Sequence, residues 1–349
     1  MRKVNTVLIV LAICISGIGL CAQDIHFSQF YMSPLNLNPA MTGVMNCNKR
    51  AVVNYRNQWA AALGSNAYNT GSASYDQKIA VGQNDFFGVG GSLWTDVAGA
   101  SRFGTTQGRL SFSYSKKMAG NSKSSHHLVV GADAGMTQRR IDPSGLRWPS
   151  QHSVSNPGTF DPSLPGGIIP DESITFADLA AGILWFSNLD RENSFYVGAA
   201  MHHLNEANIS FLGQSASLYQ KITFHGGGQF VMNKKMSLVP GFVMLFQGQH
   251  REYNAGSSVR WKMGGGRAND QHFQLGMWFR AGVNESGGFH TDAVIASTRF
   301  DYKSYGFGFS YDWTLSKFRD ASVGNGAFEF SLSYLICGDQ SRGVYCPTF

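Results

Sequence analysis

The sequence predicts an all-β protein: a transmembrane antiparallel β-barrel of about fourteen strands, with an amino-terminal periplasmic or plug segment ahead of it. Three observations lead there. In "SYGFGFSYDWTL" (304–315), Tyr305, Phe307, Phe309, Tyr311 and Trp313 occupy every second position, with Gly306, Gly308, Ser310, Asp312 and Thr314 between them. A soluble sheet buries its apolar face and turns long charged side chains to water; here the face opposite the aromatics is nearly bare. Such alternating segments mostly run roughly ten to fourteen residues, against about 5–6 for ordinary strands, which is enough to cross a bilayer at a tilt. Finally, the chain is 13% aromatic and only 14% charged, whereas soluble domains carry about 25% charged residues.

Residues 1–22 open with Arg2 and Lys3, continue through an apolar run and end at Ala22, the pattern of a secretory signal peptide. The mature chain is expected to begin at Gln23. Leu20 stands before Cys21 where a lipidation site wants a small residue. No later run of about 18 apolar residues follows, so no spanning helix is expected. Residues 23–48 form the amino-terminal segment and 49–349 the barrel. Period-two alternation marks strands near 49–59, 67–77, 84–95, 103–117, 126–138, 175–187, 193–203, 218–231, 236–247, 250–263, 270–281, 288–300, 304–315 and 326–337. Leu110, Phe112 and Tyr114 alternate with serines, as do Phe328, Phe330, Leu332 and Tyr334 with Glu329, Ser331 and Ser333. Glycines recur inside these segments, where a bare Cα on a closed sheet's inner face permits close packing or a bend.

The connections alternate in length. The stretches near 139–174, 204–217 and 317–326 are long, whereas "SNLDRE", "NKK" and "DYK" are short turns. An even strand number puts both barrel ends on one side, so the short turns and the amino terminus are expected in the periplasm and the long loops outside. Trp59, Trp94, Trp185, Trp261, Trp278 and Trp313 are expected at the membrane interfaces.

Without the leader the chain carries 26 basic and 22 acidic residues, a scattered excess that does not suggest nucleic acid. Three cysteines remain, Cys47, Cys337 and Cys346, in a compartment that permits oxidation. Cys337 with Cys346 is the expected pair, although spacing does not decide it and three thiols is the other reading. His126-His127 and His202-His203 are adjacent, and neighbours on a strand point to opposite faces, so no metal site is expected. Gly226-Gly227-Gly228 and Gly264-Gly265-Gly266 lack the Lys-Ser/Thr of a phosphate loop, and no G-x-S-x-G elbow occurs. No cofactor and no enzymatic activity are expected.

The amino-terminal segment reads "QDIHFSQFYMSPLNLNPAMTGVMNCN". Pro34 and Pro39 forbid a long helix, yet Phe27, Phe30, Tyr31, Leu35, Leu37 and Met41 are too many apolar groups to leave in water. The segment is therefore expected to pack against or inside the periplasmic mouth. "FSQFYMSPLNLNPAMTG" followed by "NYRNQW" resembles the amino-terminal signature of the PorP/SprF outer-membrane proteins of type IX secretion and gliding motility. The matching positions are Phe27, Ser28, Gln29, Phe30, Pro34, Leu35, Asn38, Pro39, Ala40, Gly43, Tyr55, Arg56, Gln58 and Trp59.

The resemblance implies a barrel in the bacterial outer membrane, in contact with its lipid and with other type IX secretion components. It also implies a cargo partner, a secreted or surface adhesin bearing a carboxy-terminal sorting domain. The signature itself reads as structural before it reads as a cargo site. Trp148 and Phe160 in the long 139–174 loop are candidate partner contacts, or else pack within their own loop; Arg139, Arg140 and Arg147 could complement an acidic partner. A channel for a small or hydrophobic solute is the alternative, and would need an open lumen with a charged path.

Overall fold

Each segment with an aromatic row and a small-residue row becomes a strand, and the strands close on themselves. The computed structural model describes residues 24–121, 124–152, 159–161, 163–167, 171–190, 192–264, 271–283, 288–337 and 346–347; the expected leader over 1–22 lies outside them. The strands are β1 (Lys49–Gln58), β2 (Tyr68–Val81), β3 (Asp85–Ala98), β4 (Phe103–Gly120), β5 (Ser125–Arg140), β6 (Ser173–Asn188) and β7 (Ser194–His202). They continue as β8 (Lys221–Asn233), β9 (Met236–Gln247), β10 (His250–Lys262), β11 (Gln271–Val283), β12 (Phe289–Tyr302), β13 (Tyr305–Thr314) and β14 (Asn325–Ile336). Each pairs antiparallel with its sequence neighbours, and β1 pairs with β14, from Lys49↔Ile336 to Gln58↔Ala327, to complete a closed barrel. Closure satisfies every edge, which lipid could not do.

Parity decides which side chains face in. On β13, Tyr305, Phe307, Phe309 and Trp313 are exposed on the outer wall, while Ser310, Asp312 and Thr314 are buried inside. The outer row continues on β14 with Phe330, Leu332 and Tyr334, and cross-strand ring pairs such as Phe309 with Phe330 and Tyr305 with Tyr334 knit it together. Of the tryptophans, Trp313 faces outward near the long-loop mouth, and Trp185 and Trp261 stack on the outer-wall rings of His126 and Phe273. The interface expectation fails for Trp94 and Trp278, both buried in the lumen. They share parity with Ser92 and Asp96 and with Gln274 and Arg280, so a pleated strand can only turn them inward.

The connections fall into two sets. Residues 141–172 and 203–220 join β5 to β6 and β7 to β8 at one mouth, together with 59–67 and 315–324; turns such as 82–84, 234–235 and 303–304 lie at the other.

The apolar core sits inside the barrel. Phe30, Tyr31, Met32, Leu37, Ala40, Met41 and Val44 of the amino-terminal segment pack against Phe86, Val129, Leu184, Phe186, Tyr196, Trp278 and Ile295 of the wall. The segment thus threads the whole lumen and is not confined to the short-turn mouth. The disulfide also differs from the expected Cys337–Cys346 pair: Cys47 is bonded to Cys337. Cys47 precedes β1 and Cys337 follows β14, and the pairing of Lys49 with Ile336 brings the two together across the closing seam, with Cα atoms 4.3 Å apart. Cys346 lies buried beside them, its N–H donating to Asn46 Oδ1 (2.7 Å).

If the outer row faces lipid, Phe307→Arg should destabilise the barrel by about 2–4 kcal/mol if Phe307 lies near the bilayer midplane. Denaturant unfolding in lipid vesicles measures this, and a loss within ordinary surface scatter would place that face in water.

Candidate functional site

The amino-terminal segment begins at the long-loop mouth. Asp24 donates its N–H to Gln247 Oε1 (3.0 Å) at the end of β9, and its carboxylate takes Lys221 Nζ (2.9 Å) and His203 Nε2 (2.7 Å). His203 Nδ1 meets Asp178 Oδ1 at 2.9 Å. Burial pulls the His203 imidazole down, but the Asp24 charge and the hydrogen bonds to Asp178 and Asp24 carry it up to about 9. Burial works against the Asp24 carboxylate in turn, and Lys221 and His203 still hold it well below the usual carboxylate range. A positive φ of 59° at His203 lets it face the lumen beside His202, against the opposite-face expectation for that pair. The His126-His127 pair does split, with His127 stacked inside on Phe186.

Deeper in the lumen the segment completes a network of buried charges. Ser28 and Gln29 donate backbone N–H groups to the two Glu329 oxygens (2.6 and 2.9 Å). Ser28 Oγ donates to Asp312 Oδ2 (2.8 Å) and accepts from Arg56 Nη1 (2.7 Å) and Arg280 Nη1 (3.0 Å). Asp312 is paired with Arg56 at 3.1 Å and with Arg280 at 2.9 Å; Arg56 also reaches Glu329, and Arg280 Nε reaches Asp292 at 2.6 Å. Removing such charges from water costs several kcal/mol per ion, recovered only when each has close partners. Two backbone amides and one hydroxyl from the segment supply part of that pairing.

Below the network, aromatic and amide contacts take over. Phe30 packs edge-on and Tyr31 stacks on Trp278, with centroids 5.4 and 5.3 Å away, while Trp278 Nε1 donates to Ser297 Oγ (2.9 Å). Asn38 caps its own turn by accepting from Ala40 N (2.8 Å), and its Nδ2 donates to the carbonyls of Ile183 (3.1 Å) and Ala199 (3.2 Å). Wall glycines make room for this backbone: a side chain at Gly182 would overlap Asn38 Oδ1, one at Gly88 the Thr42 carbonyl, and a Cβ on Gly131 would lie 2.6 Å from Ala40 N. At the short-turn end Gly43 N donates to Asp76 (2.8 Å), which also takes Arg50 (2.8 Å), and Lys78 Nζ donates to the Met45 carbonyl (2.6 Å).

Most of the signature positions therefore converge on one task. Phe27, Ser28, Gln29, Phe30, Pro34, Leu35, Asn38, Pro39, Ala40 and Gly43 are buried in the lumen, and Arg56 receives them from β1. Tyr55 stands apart, 41% exposed on the outer wall. Gln58 and Trp59 reach the long-loop mouth, where a cavity of about 550 Å³ remains above the segment, lined by Asp24, His26, Trp59, Tyr68, Trp94 and Arg139 among others. Trp59 takes a positive φ of 60° that ends β1, and its ring rests on Tyr68 and Phe318.

Trp148 and Phe160 pack within their own loop and stay part-exposed. Gly166 and Gly167 lie against the Trp148 ring, and Phe160 packs on His152 with Arg147 over its face at 4.9 Å. Both rings close their own loop, because a long loop can exclude water from them more readily than leave them bare. The residues whose part in this lumen site sequence reasoning did not give are Arg280, Asp312, Trp278 and His203. Parity alone places the first three in the lumen; His203 carries no such signal. Among the described residues no group of three or more His, Cys, Asp or Glu side chains is arranged to hold a metal.

The family profile described as type IX secretion system membrane protein PorP/SprF matches residues 20–334. The chain belongs to the PorP/SprF family. A PorP/SprF protein is a membrane component of type IX secretion, so this barrel is an outer-membrane protein that works alongside other components of that system. No curated protein sequence matches the chain. Among solved structures it is similar to the CymD monoaromatic hydrocarbon channel, at 10% identity over 92% of this chain and 96% of that one, with a TM-score of 0.49. It is also similar to the Pseudomonas putida toluene transporter TodX (9% identity, 90% and 95% covered, TM-score 0.45) and to CdiB from Escherichia coli (6%, 81% and 62%, TM-score 0.47). Likeness at this level carries nothing about what the PorP/SprF barrel binds.

Two outcomes follow from the lumen network. Arg56→Ala leaves Glu329 and Asp312 short of a counter-charge and should cost about 3–5 kcal/mol in denaturant unfolding, far more than Tyr55→Ala on the outer wall; equal losses would mean that the network does not hold the fold. Because the folded pKa of His203 is raised from 6.5 to about 9, its grip on Asp24 is complete below about pH 6.5 and is lost as pH rises through about 9. A fluorophore on Ile25→Cys should be more open to acrylamide quenching at pH 10 than at pH 6, and quenching that ignores pH would remove His203 from the clamp.

Proposed function

We propose that this PorP/SprF barrel works in type IX secretion as a plugged outer-membrane platform, with no enzymatic activity of its own. At its long-loop mouth it holds, or helps to export, a cargo protein bearing a carboxy-terminal sorting domain. One observation carries the reading: the lumen that a solute would need is filled by residues 27–47, bonded to the wall from Glu329 at one level to Asp76 at another. With the long loops outside, as outer-membrane barrels place them, Asp24 stands at the outer mouth and the Cys47–Cys337 disulfide at the periplasmic one. That disulfide tethers the foot of the segment to the end of β14, so opening the lumen would require breaking buried ion pairs above a fixed anchor. The surface left for a partner is the mouth, with its cavity and its exposed Leu212, Tyr219 and Val323.

Purification of the tagged protein from its own outer membrane in mild detergent, followed by mass spectrometry, is expected to recover a large surface protein through its carboxy-terminal domain, together with type IX components. A barrel that emerges alone and renders liposomes permeable to small solutes would overturn this reading in favour of a channel.

A further inference from the structure

Among the lumen arginines, Arg139 differs in its partners. Arg50, Arg56, Arg109, Arg280 and Arg299 each have a carboxylate within 3.3 Å. Arg139 stands near the end of β5 on the inward parity shared with Asp133 and Thr137 and is 6% exposed, but among the described residues it has no ion pair and no hydrogen bond. Its Nε is buried without a partner, the Phe176 ring lies 5.9 Å from Cζ, and the Asp24 and Asp178 carboxylates act on it through space without an ion pair. The side chain lines the mouth cavity of about 550 Å³, a volume within the range of sites that enclose small ligands. A guanidinium carries five donors in a fixed fork that matches a carboxylate; here Nε is buried without a partner, which is unfavourable, and the side chain lines the cavity.

The other charged residues of the cavity, Asp24, Asp96 and Arg56, narrow the ligand, and Arg56 is already paired with Asp312 and Glu329. Asp24 is already saturated by Lys221 and His203. Asp96 accepts from Thr70 Oγ1 at 2.6 Å and has no cation at ion-pair distance among the described residues. A phosphate dianion would meet both carboxylates, whereas a peptide brings one carboxylate for Arg139 and N–H donors for Asp96. Trp59, Tyr68, Trp94 and Phe103 supply aromatic wall for its side chains.

We propose that the mouth cavity binds an extended polypeptide segment through a carboxylate, terminal or side-chain, held by the Arg139 guanidinium. The assignment of that segment to the secretion partner rests on the reading above; the carboxylate site itself does not.

The test uses the full-length barrel in detergent and follows the fluorescence of Trp59 and Trp94 during titration with short peptides. The probes are acetyl-Phe-Ser-Gly as the free acid, the same peptide as its carboxamide, acetyl-Phe-Asp-Gly-amide, and inorganic phosphate. At least one carboxylate peptide is expected to bind at least about tenfold more tightly than the uncharged carboxamide, the scale of one charged hydrogen-bonded contact. Which of the two binds separates a terminal from a side-chain carboxylate. Arg139→Gln should erase the preference and Arg139→Lys should retain part of it. Binding of both carboxylate peptides no tighter than the uncharged carboxamide by the unaltered protein overturns the site whether or not any variant folds, as does saturable binding of phosphate in place of the peptides. Undiminished cargo recovery from membranes by Arg139→Gln overturns the assignment to the secretion partner. Failure of the unaltered protein to recover cargo, with its acid preference intact, overturns the reading above and supports the site.

Discussion

A cylinder of fourteen strands encloses more space than its own inward side chains fill, whereas a barrel of about eight does not. The rest of this structure depends on how that space is occupied. A water-filled lumen would leave Phe86, Phe186, Trp278 and Ile295 wetted; with the amino-terminal segment inside, the same residues become a dry core. The barrel's main apolar core is thus formed between its wall and a segment that belongs to no strand.

The filling is specific because it is polar as well as apolar. Asp312, Glu329, Arg56 and Arg280 balance in charge but do not fill one another's hydrogen-bonding positions, and the Ser28 hydroxyl with the Ser28 and Gln29 amides supplies further partners. A segment of equal volume without those donors would leave buried charge poorly partnered, a loss several times that of an ordinary hydrogen bond. Lower down, steric fit replaces charge: Gly88, Gly131 and Gly182 accept the backbone from Asn38 to Thr42 at distances no side chain would permit. The family signature is the sequence of a fitted insert and of the wall arginine that meets it.

Stabilising the insert separates the two mouths in character. The short-turn mouth is tied by the Cys47–Cys337 bond and by Arg50 with Asp76. The long-loop mouth keeps a cavity, a histidine clamp on Asp24 and an arginine that has no carboxylate at ion-pair distance among the described residues. On the function proposed above, the mouth with unsatisfied groups is where a partner of this PorP/SprF protein would dock.

Strand placement was legible in the sequence because a pleated strand in lipid must alternate strictly, so "SYGFGFSYDWTL" already divides Tyr305, Phe307 and Phe309 from Ser310 and Asp312. The same parity would have sent Trp94 and Trp278 inward, had it been weighed above the preference of tryptophan for interfaces. The insert was legible as a segment too apolar for water, but its course was not, since hydrophobicity fixes that a chain is buried and not along which path. The disulfide, the carboxylates around Arg56 and Arg280, and the position of Arg139 all join residues tens to hundreds of positions apart. Local pattern determined the strands, their facing and the burial of residues 24–48; only closure of β1 on β14 decided which charges meet, which cysteines bond and which mouth stays open, because those contacts exist only once the sheet has come round to its own beginning.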